Sequence, residues 1–215
     1  MRLILAAIVL AIAIGYAIGG SLRNFGGDRL RWPLLAVAGL GLQLWPVSAT
    51  RSELGFGLLM ASFGLLFVFG VLNFKNPGFP LIVIGLCMNA LVIGVNHGMP
   101  VQRQALIRSG QGDTLVLLEK EGGAKHHLSG PGDQLLFLGD VIPVPNPVGQ
   151  VVSSGDIATY AGVMWFVIAS MQPSRRRPEG AEENGHAPAP GDPGSHGNAQ
   201  AANAAGDPPP HEQTA

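Results

Sequence analysis

The side chains in this chain that could do acid–base or metal chemistry fall in one stretch, residues 96–156. They are His97, His126, His127, Asp140 and Asp156. Imidazole with carboxylate suits zinc or another borderline metal. The spacing does not, because the adjacent His126 and His127 chelate one ion less readily than two histidines four apart on a helix. No metal and no cofactor is therefore assigned. Two further readings stay open: a pH-responsive or hydrogen-bonded histidine pair, since histidine titrates near neutrality, and plain solvation of a loop. Asp156 also has a structural alternative. Ser153-x-x-Asp156 has the form of a capping box, in which the serine oxygen takes an orphan amide and the aspartate complements the helix dipole. That role is placed ahead of a catalytic one.

Nothing else in the chain demands catalysis. No Ser-His-Asp order carries a nucleophile elbow, and no Walker or GxGxxG signature follows a strand. Cys87 is the only cysteine, which excludes an intramolecular disulfide, a Cys-based zinc site and a CxxC pair. A formal net charge of -1, with no basic stripe interleaved with aromatics, argues against a nucleic-acid partner.

The elements that must position these residues are read from apolar length. Only 13% of the 215 residues are charged, against about 25% in a soluble domain, and the mean hydropathy is +0.31. A helix needs roughly 20 apolar residues to cross a bilayer. The expected fold is an all-α polytopic membrane protein with about five transmembrane helices, over 3–22, 32–50, 54–74, 79–95 and 154–172. Residues 97–153 form an extracytoplasmic loop between the fourth and fifth, and 1–171 make up the membrane domain.

Positive charge sets orientation. Arg23, Arg29 and Arg31, then Lys75, then Arg175, Arg176 and Arg177 share one side if there are five spans, and that side is taken as cytoplasmic. The N-terminus and the long loop then lie outside. Arg103, Arg108, Lys120 and Lys125 in that loop oppose the rule but are offset by Asp113, Glu119, Glu121, Asp133 and Asp140. The alternative for residues 1–20 is a cleaved signal peptide. Against it, Ala7, Ala11, Gly15 and Gly19 place a small residue at every fourth position. Such a smooth stripe suits close helix packing in lipid, within the chain or between copies.

Gln43, Asn89 and Asn96 lie in or at the ends of spans, and Asn89 and Asn96 share one helical face. Two readings apply: a polar path between helices, or interhelical hydrogen bonds of about 1 kcal/mol each. No span has a charged residue near its centre, which counts against an ion-coupled transporter. Within the loop, Thr114–Leu118 is expected as a short strand or interfacial turn. Leu135–Leu138, bounded by Gly139 and Pro143, is too short to span and is expected in the interface or packed back on the helices. From 172 to 215, proline, glycine and alanine dominate without an apolar face, so a disordered cytoplasmic tail is expected.

At the loop the chain resembles a bacterial membrane family, the domain of unknown function 5317 family. The resembling residues are Asn96 with Gly98-Met99-Pro100-Val101, the His126/His127 position, Phe137-Leu138-Gly139-Asp140-Val141-Ile142-Pro143, and Ser154-Gly155-Asp156. The resemblance covers residues 1 to about 171. It implies several membrane helices in a bacterial cell (inner) membrane. It supplies no catalytic residue, because the family is uncharacterised. Three functions are carried forward in order. The first is a non-enzymatic protein scaffolding or sensing through the outer loop. The second is a small carrier or channel. The third is a membrane enzyme or metal protein built on the His/Asp cluster.

Overall fold

A computed structural model describes residues 2–26, 30–44, 53–121 and 125–173. In chain order the elements are α1 (Arg2–Ala17), α2 (Pro33–Leu44), α3 (Glu53–Leu72), α4 (Phe79–Asn96), β1 (Met99–Val101), α5 (Arg103–Arg108), α6 (Gly112–Glu121), β2 (His126–Leu128), β3 (Ile142–Val144), β4 (Gln150–Val152) and α7 (Ser154–Ser170). Short 3-10 turns cover Leu22–Gly26 and Leu136–Leu138. Residues 45–50, at the end of the expected second span, and the tail from 174 onward lie outside the described residues.

Helices α3 and α4 are each long and apolar enough to cross a membrane, while α1 and α2 are shorter apolar helices. The first helix stops at Ala17 rather than reaching residue 22, and the chain then turns through Gly19, whose φ of 84° costs a glycine nothing. Helix α4 starts just after Gly78, at φ 82°, with a proline in its first turn, where a missing N–H is harmless.

The helices pack in the spatial order α2, α3, α4, α7, α1. Their directions alternate along the chain, so the neighbours α1 and α7 run parallel. At one end Leu3 N donates to Gln150 Oε1 at 3.2 Å, the Lys125 ammonium donates to the Gln43 carbonyl, and Ser154 Oγ donates to the Phe137 carbonyl at 2.8 Å. At the other end Ser21 N and Asn24 Nδ2 both donate to the Met171 carbonyl. Phe25 and Phe79 meet Phe166 edge to face there, with centroids 6.0 and 5.3 Å apart.

Small residues make the closest helix contact possible. A Cβ on Gly162 would stand 2.6 Å from the Gly78 carbonyl, and one on Gly155 would stand 2.7 Å from the Gly85 carbonyl. Helices α4 and α7 therefore approach backbone to backbone, as in lipid-embedded pairs. Ala11 and Gly15 of the N-terminal stripe do the same for α1 and α7. Ala11 is buried against Val167 and Met171, and a Cβ on Gly15 would meet the Met171 thioether. Ala7 is half-buried and Gly19 is exposed.

Helix α3 turns Leu59, Ser62 and Leu66 inward and Leu54, Gly57, Ala61, Gly64 and Val68 outward. Helix α4 turns Val83, Asn89, Val92 and Ile93 inward and Ile84, Cys87, Leu91 and Val95 outward. Both outward faces are thus apolar.

The all-α expectation is corrected in the loop. There β1 and β2 pair in parallel and β3 and β4 pair antiparallel. Strands of three residues are too short to show a period-two pattern, so sequence periodicity did not reveal them. The expected strand or turn at Thr114–Leu118 is instead part of helix α6. Leu115 and Leu118, three apart, pack onto Val101, Ala105, Leu106 and Val151, and a helix is what puts both on one side. The loop has this small core of its own and a second contact with the helices, where Met99 and Leu138 join Leu59, Val92 and Ile93.

Asn73, at the end of α3, is buried and binds the segment before α2 on both sides. Arg31 N donates to Asn73 Oδ1 at 2.8 Å, while Asn73 Nδ2 donates to Arg31 O at 2.9 Å and to Phe69 O at 2.8 Å. Asn73→Leu strands two backbone groups. It is expected to cost about 2–3 kcal/mol, measured as a lowered unfolding midpoint in detergent.

Candidate functional site

Strand β1 is the scaffold of the site. On one side it pairs with β2, with Met99 opposite His126 and Pro100 opposite His127. On the other side Asp140 N donates to Pro100 O at 3.0 Å and Gln102 N donates to Asp140 O at 2.9 Å. Gly139 precedes Asp140 because a Cβ there would lie 2.6 Å from the Pro100 carbonyl. The backbone thereby fixes Asp140 inside, 8% exposed.

The three histidines are not brought together. His126 Nε2 lies 3.6 Å from Asp140 Oδ2, too long for a hydrogen bond. His127 Nε2 instead pairs with Asp133 Oδ1 at 2.9 Å, and Asp133 Oδ2 accepts from Gly130 N at 2.8 Å. His97 ends α4 at φ 51° and lays its ring against Phe56, centroids 4.9 Å apart. Among the described residues no group of three His, Cys, Asp or Glu side chains is placed to hold a metal ion.

Asp156 and Asn89 do meet, although 67 residues apart. The capping box is present: Asp156 N donates to Ser153 Oγ at 2.9 Å, and Ser153 N donates to Asp156 Oδ2 at 3.3 Å. Asn89 joins it from α4. Its Nδ2 donates to Asp156 Oδ1 at 2.8 Å, and its Oδ1 accepts from Ser153 Oγ at 2.8 Å. The amide inside α4 thus holds the first turn of α7. Asn96 holds the loop in the same way: its Nδ2 donates to Gln134 O at 2.9 Å and its Oδ1 accepts from Gln134 N at 2.8 Å. Gln43 enters through its backbone carbonyl, which accepts from Lys125.

Asn96→Ala removes the paired bonds to Gln134. It is expected to cost about 1–2 kcal/mol and to open residues 130–138 to protease while the helices stay intact. Mass mapping of the first cleavage site checks this.

The electrostatics single out Asp140. Burial, then the negative charge of Asp156, pushes its carboxyl up to about 8. Its Oδ1 is buried and has no hydrogen-bond partner. A neutral carboxyl tolerates that environment and an ionised one does not. His126 is displaced the other way. Burial lowers its affinity for a proton, with Lys125 and His127 adding to the effect and Asp156 opposing it. About half of the His126 side chain stays exposed, so burial acts on it less than full enclosure would. Burial also lowers Lys125 from its usual range.

Sequence reasoning named Asp140, Asp156, Asn89 and His126 but not how they divide. It missed Asp133 as the partner of His127, Asn73 as a helix clamp, and Lys125 as the cap on α2. The turn Gly130-Pro131-Gly132-Asp133 was the available signal for the first, since it folds Asp133 back toward the strand it follows.

A family model described as a family of unknown function (DUF5317) matches residues 29–168. An uncharacterised protein of Thermotoga maritima is 36% identical over 125 residues, covering 55% of this chain and 69% of the relative. No solved structure matches. The chain belongs to the DUF5317 family.

Proposed function

We propose that this member of the DUF5317 family is a five-span, non-enzymatic protein of a bacterial inner membrane that senses proton activity on the side of its 97–153 loop. The membrane part of the reading is supported by the uncharged outward faces of α3 and α4, which would expose a large apolar patch to water. It is supported as well by the alternating helix directions, which leave Arg23, Arg31 and Lys75 at the end away from the loop. By the charge rule that end is cytoplasmic, and the loop and the N-terminus are outside.

The observation that carries the sensing part is the placement of Asp140. It is a buried carboxyl with one unpartnered oxygen, facing His126 of β2 and the charge of Asp156 on α7. Asp156 is bonded to Asn89 of α4. Ionising Asp140 places a second negative charge beside a carboxylate that ties two spans together. The loop then either shifts toward water or drags that tie. A proton taken from outside is in this way converted into a change between the loop and the α4–α7 pair.

The test is a distance measurement between spin labels on the exposed native Cys87 of α4 and on V116C of α6, in lipid. The distribution is expected to change as pH passes through about 8 and to stay fixed in Asp140→Asn. A distribution that stays fixed in both removes the sensing reading, whether or not Asp140 titrates.

A further inference from the structure

We propose that Leu136 and Phe137 anchor the outer loop in the bilayer, seated at the boundary of headgroups and acyl chains beside the start of α7. The turn that carries them divides its apolar residues in an unusual way. Leu135 takes a left-handed backbone at φ 55°, rare for a leucine. The 3-10 turn that follows sends Leu138 inward, 7% exposed, onto Leu59, Val92 and Met99. It leaves Leu136 39% and Phe137 67% exposed. A loop solvated only by water gains nothing from holding a phenylalanine outward on a constrained turn.

The position of this turn identifies what covers it. Ser154 Oγ donates to the Phe137 carbonyl at 2.8 Å, so Phe137 stands level with the first turn of α7. From there the exposed side of α7 runs through Ile157, Ala161 and Trp165, positions four apart and therefore one stripe. Phe137 continues that stripe past the end of the helix. Three backbone groups at this level are engaged by side chains. Gln134 gives both its backbone groups to Asn96, and the Phe137 carbonyl is taken by Ser154. An apolar solvent requires such satisfaction and water does not. Lipid is the occupant that fits, because aromatic rings settle at that depth.

The inference rests on the membrane-spanning reading but not on proton sensing. Two proteins separate the cases, each folded by size exclusion and placed in vesicles of lipids brominated either near the headgroup or deep in the acyl chain. One carries F137W with Trp32, Trp45 and Trp165 changed to phenylalanine, and the other keeps Trp165 alone. L136W in the same background replaces F137W if that variant does not fold. The F137W protein is expected to be quenched roughly twofold or more strongly by shallow than by deep bromine, and the Trp165 protein by deep bromine. Quenching of Trp165 with none in F137W overturns the anchor and leaves the membrane reading standing, with water or a protein covering the turn. Quenching of neither overturns both.

Discussion

Gly85→Leu is expected to abolish assembly of the helix array. A Cβ at Gly85 would stand 2.8 Å from Thr159 N, and Gly155 of the same helix would meet the Gly85 carbonyl in turn. Backbone cannot rotate away as a side chain can. Overpacking ordinarily costs about 1–3 kcal/mol, and a clash between two backbones falls at or above the top of that range. Separating α4 from α7 also breaks the Asn89–Asp156 and Asn89–Ser153 bonds, so the losses compound. The measurement is the fraction of monodisperse protein in mild detergent, with an unfolding titration where enough survives. Gly57→Leu is the control, because a Cβ there meets nothing within 4 Å and Gly57 faces outward on α3. Equal behaviour of the two variants contradicts close α4–α7 packing.

Asp140→Asn is expected to stabilise the protein at alkaline pH and to flatten its stability profile. In the folded chain burial and Asp156 raise the Asp140 carboxyl to about 8, whereas in the unfolded chain it ionises near 4. Between those values the native state holds a proton that the unfolded state has released. The contribution of Asp140 to stability is therefore greatest below about pH 4. It falls as pH rises, by up to about 1.4 kcal/mol per unit, and levels off above about pH 8. Asparagine keeps the shape and removes the titration. The two profiles should converge toward pH 4 and diverge steadily to pH 8. His126 acts in the opposite sense: with its affinity for a proton lowered, its contribution is present above about 6.5 and is lost as pH falls. That acid-side slope should survive in the variant. Thermal unfolding in detergent across this range is the check, and parallel profiles contradict the burial of Asp140.

Much of the helix content was legible because apolar length survives any arrangement of neighbours. Leu54–Phe74 and Phe79–Val95 announce α3 and α4 within a residue or two. The capping box at Ser153 and Asp156 was legible because its partners are three residues apart. The run Leu135–Leu138, bounded by Gly139 and Pro143, was legible as too short to span and so as lying in the interface or packed back on the helices, but not that Leu138 alone of Leu136–Leu138 would be buried. Long-range partnership was not. Asn89 could have faced any helix, and only the fold shows it gripping Asp156. His127 sits beside His126, yet alternation across a strand sends one ring to Asp133 and the other toward Asp140. Asn73 reads as one more polar residue at a helix end, because its use depends on where Arg31 returns. The Thr114–Leu118 run misled because Leu115 and Leu118 declare a helical face only once Leu106 and Val151 are beside them.

The central claim is that Asp140 carries a proton at neutral pH. Infrared difference spectroscopy across pH 5–10, in lipid, reads the carbonyl stretch of a protonated carboxyl directly. The account predicts one such band, lost with a midpoint near pH 8 and absent throughout in Asp140→Asn. A wild-type spectrum without the band, or a band that disappears in the ordinary carboxylate range near pH 4, would contradict it.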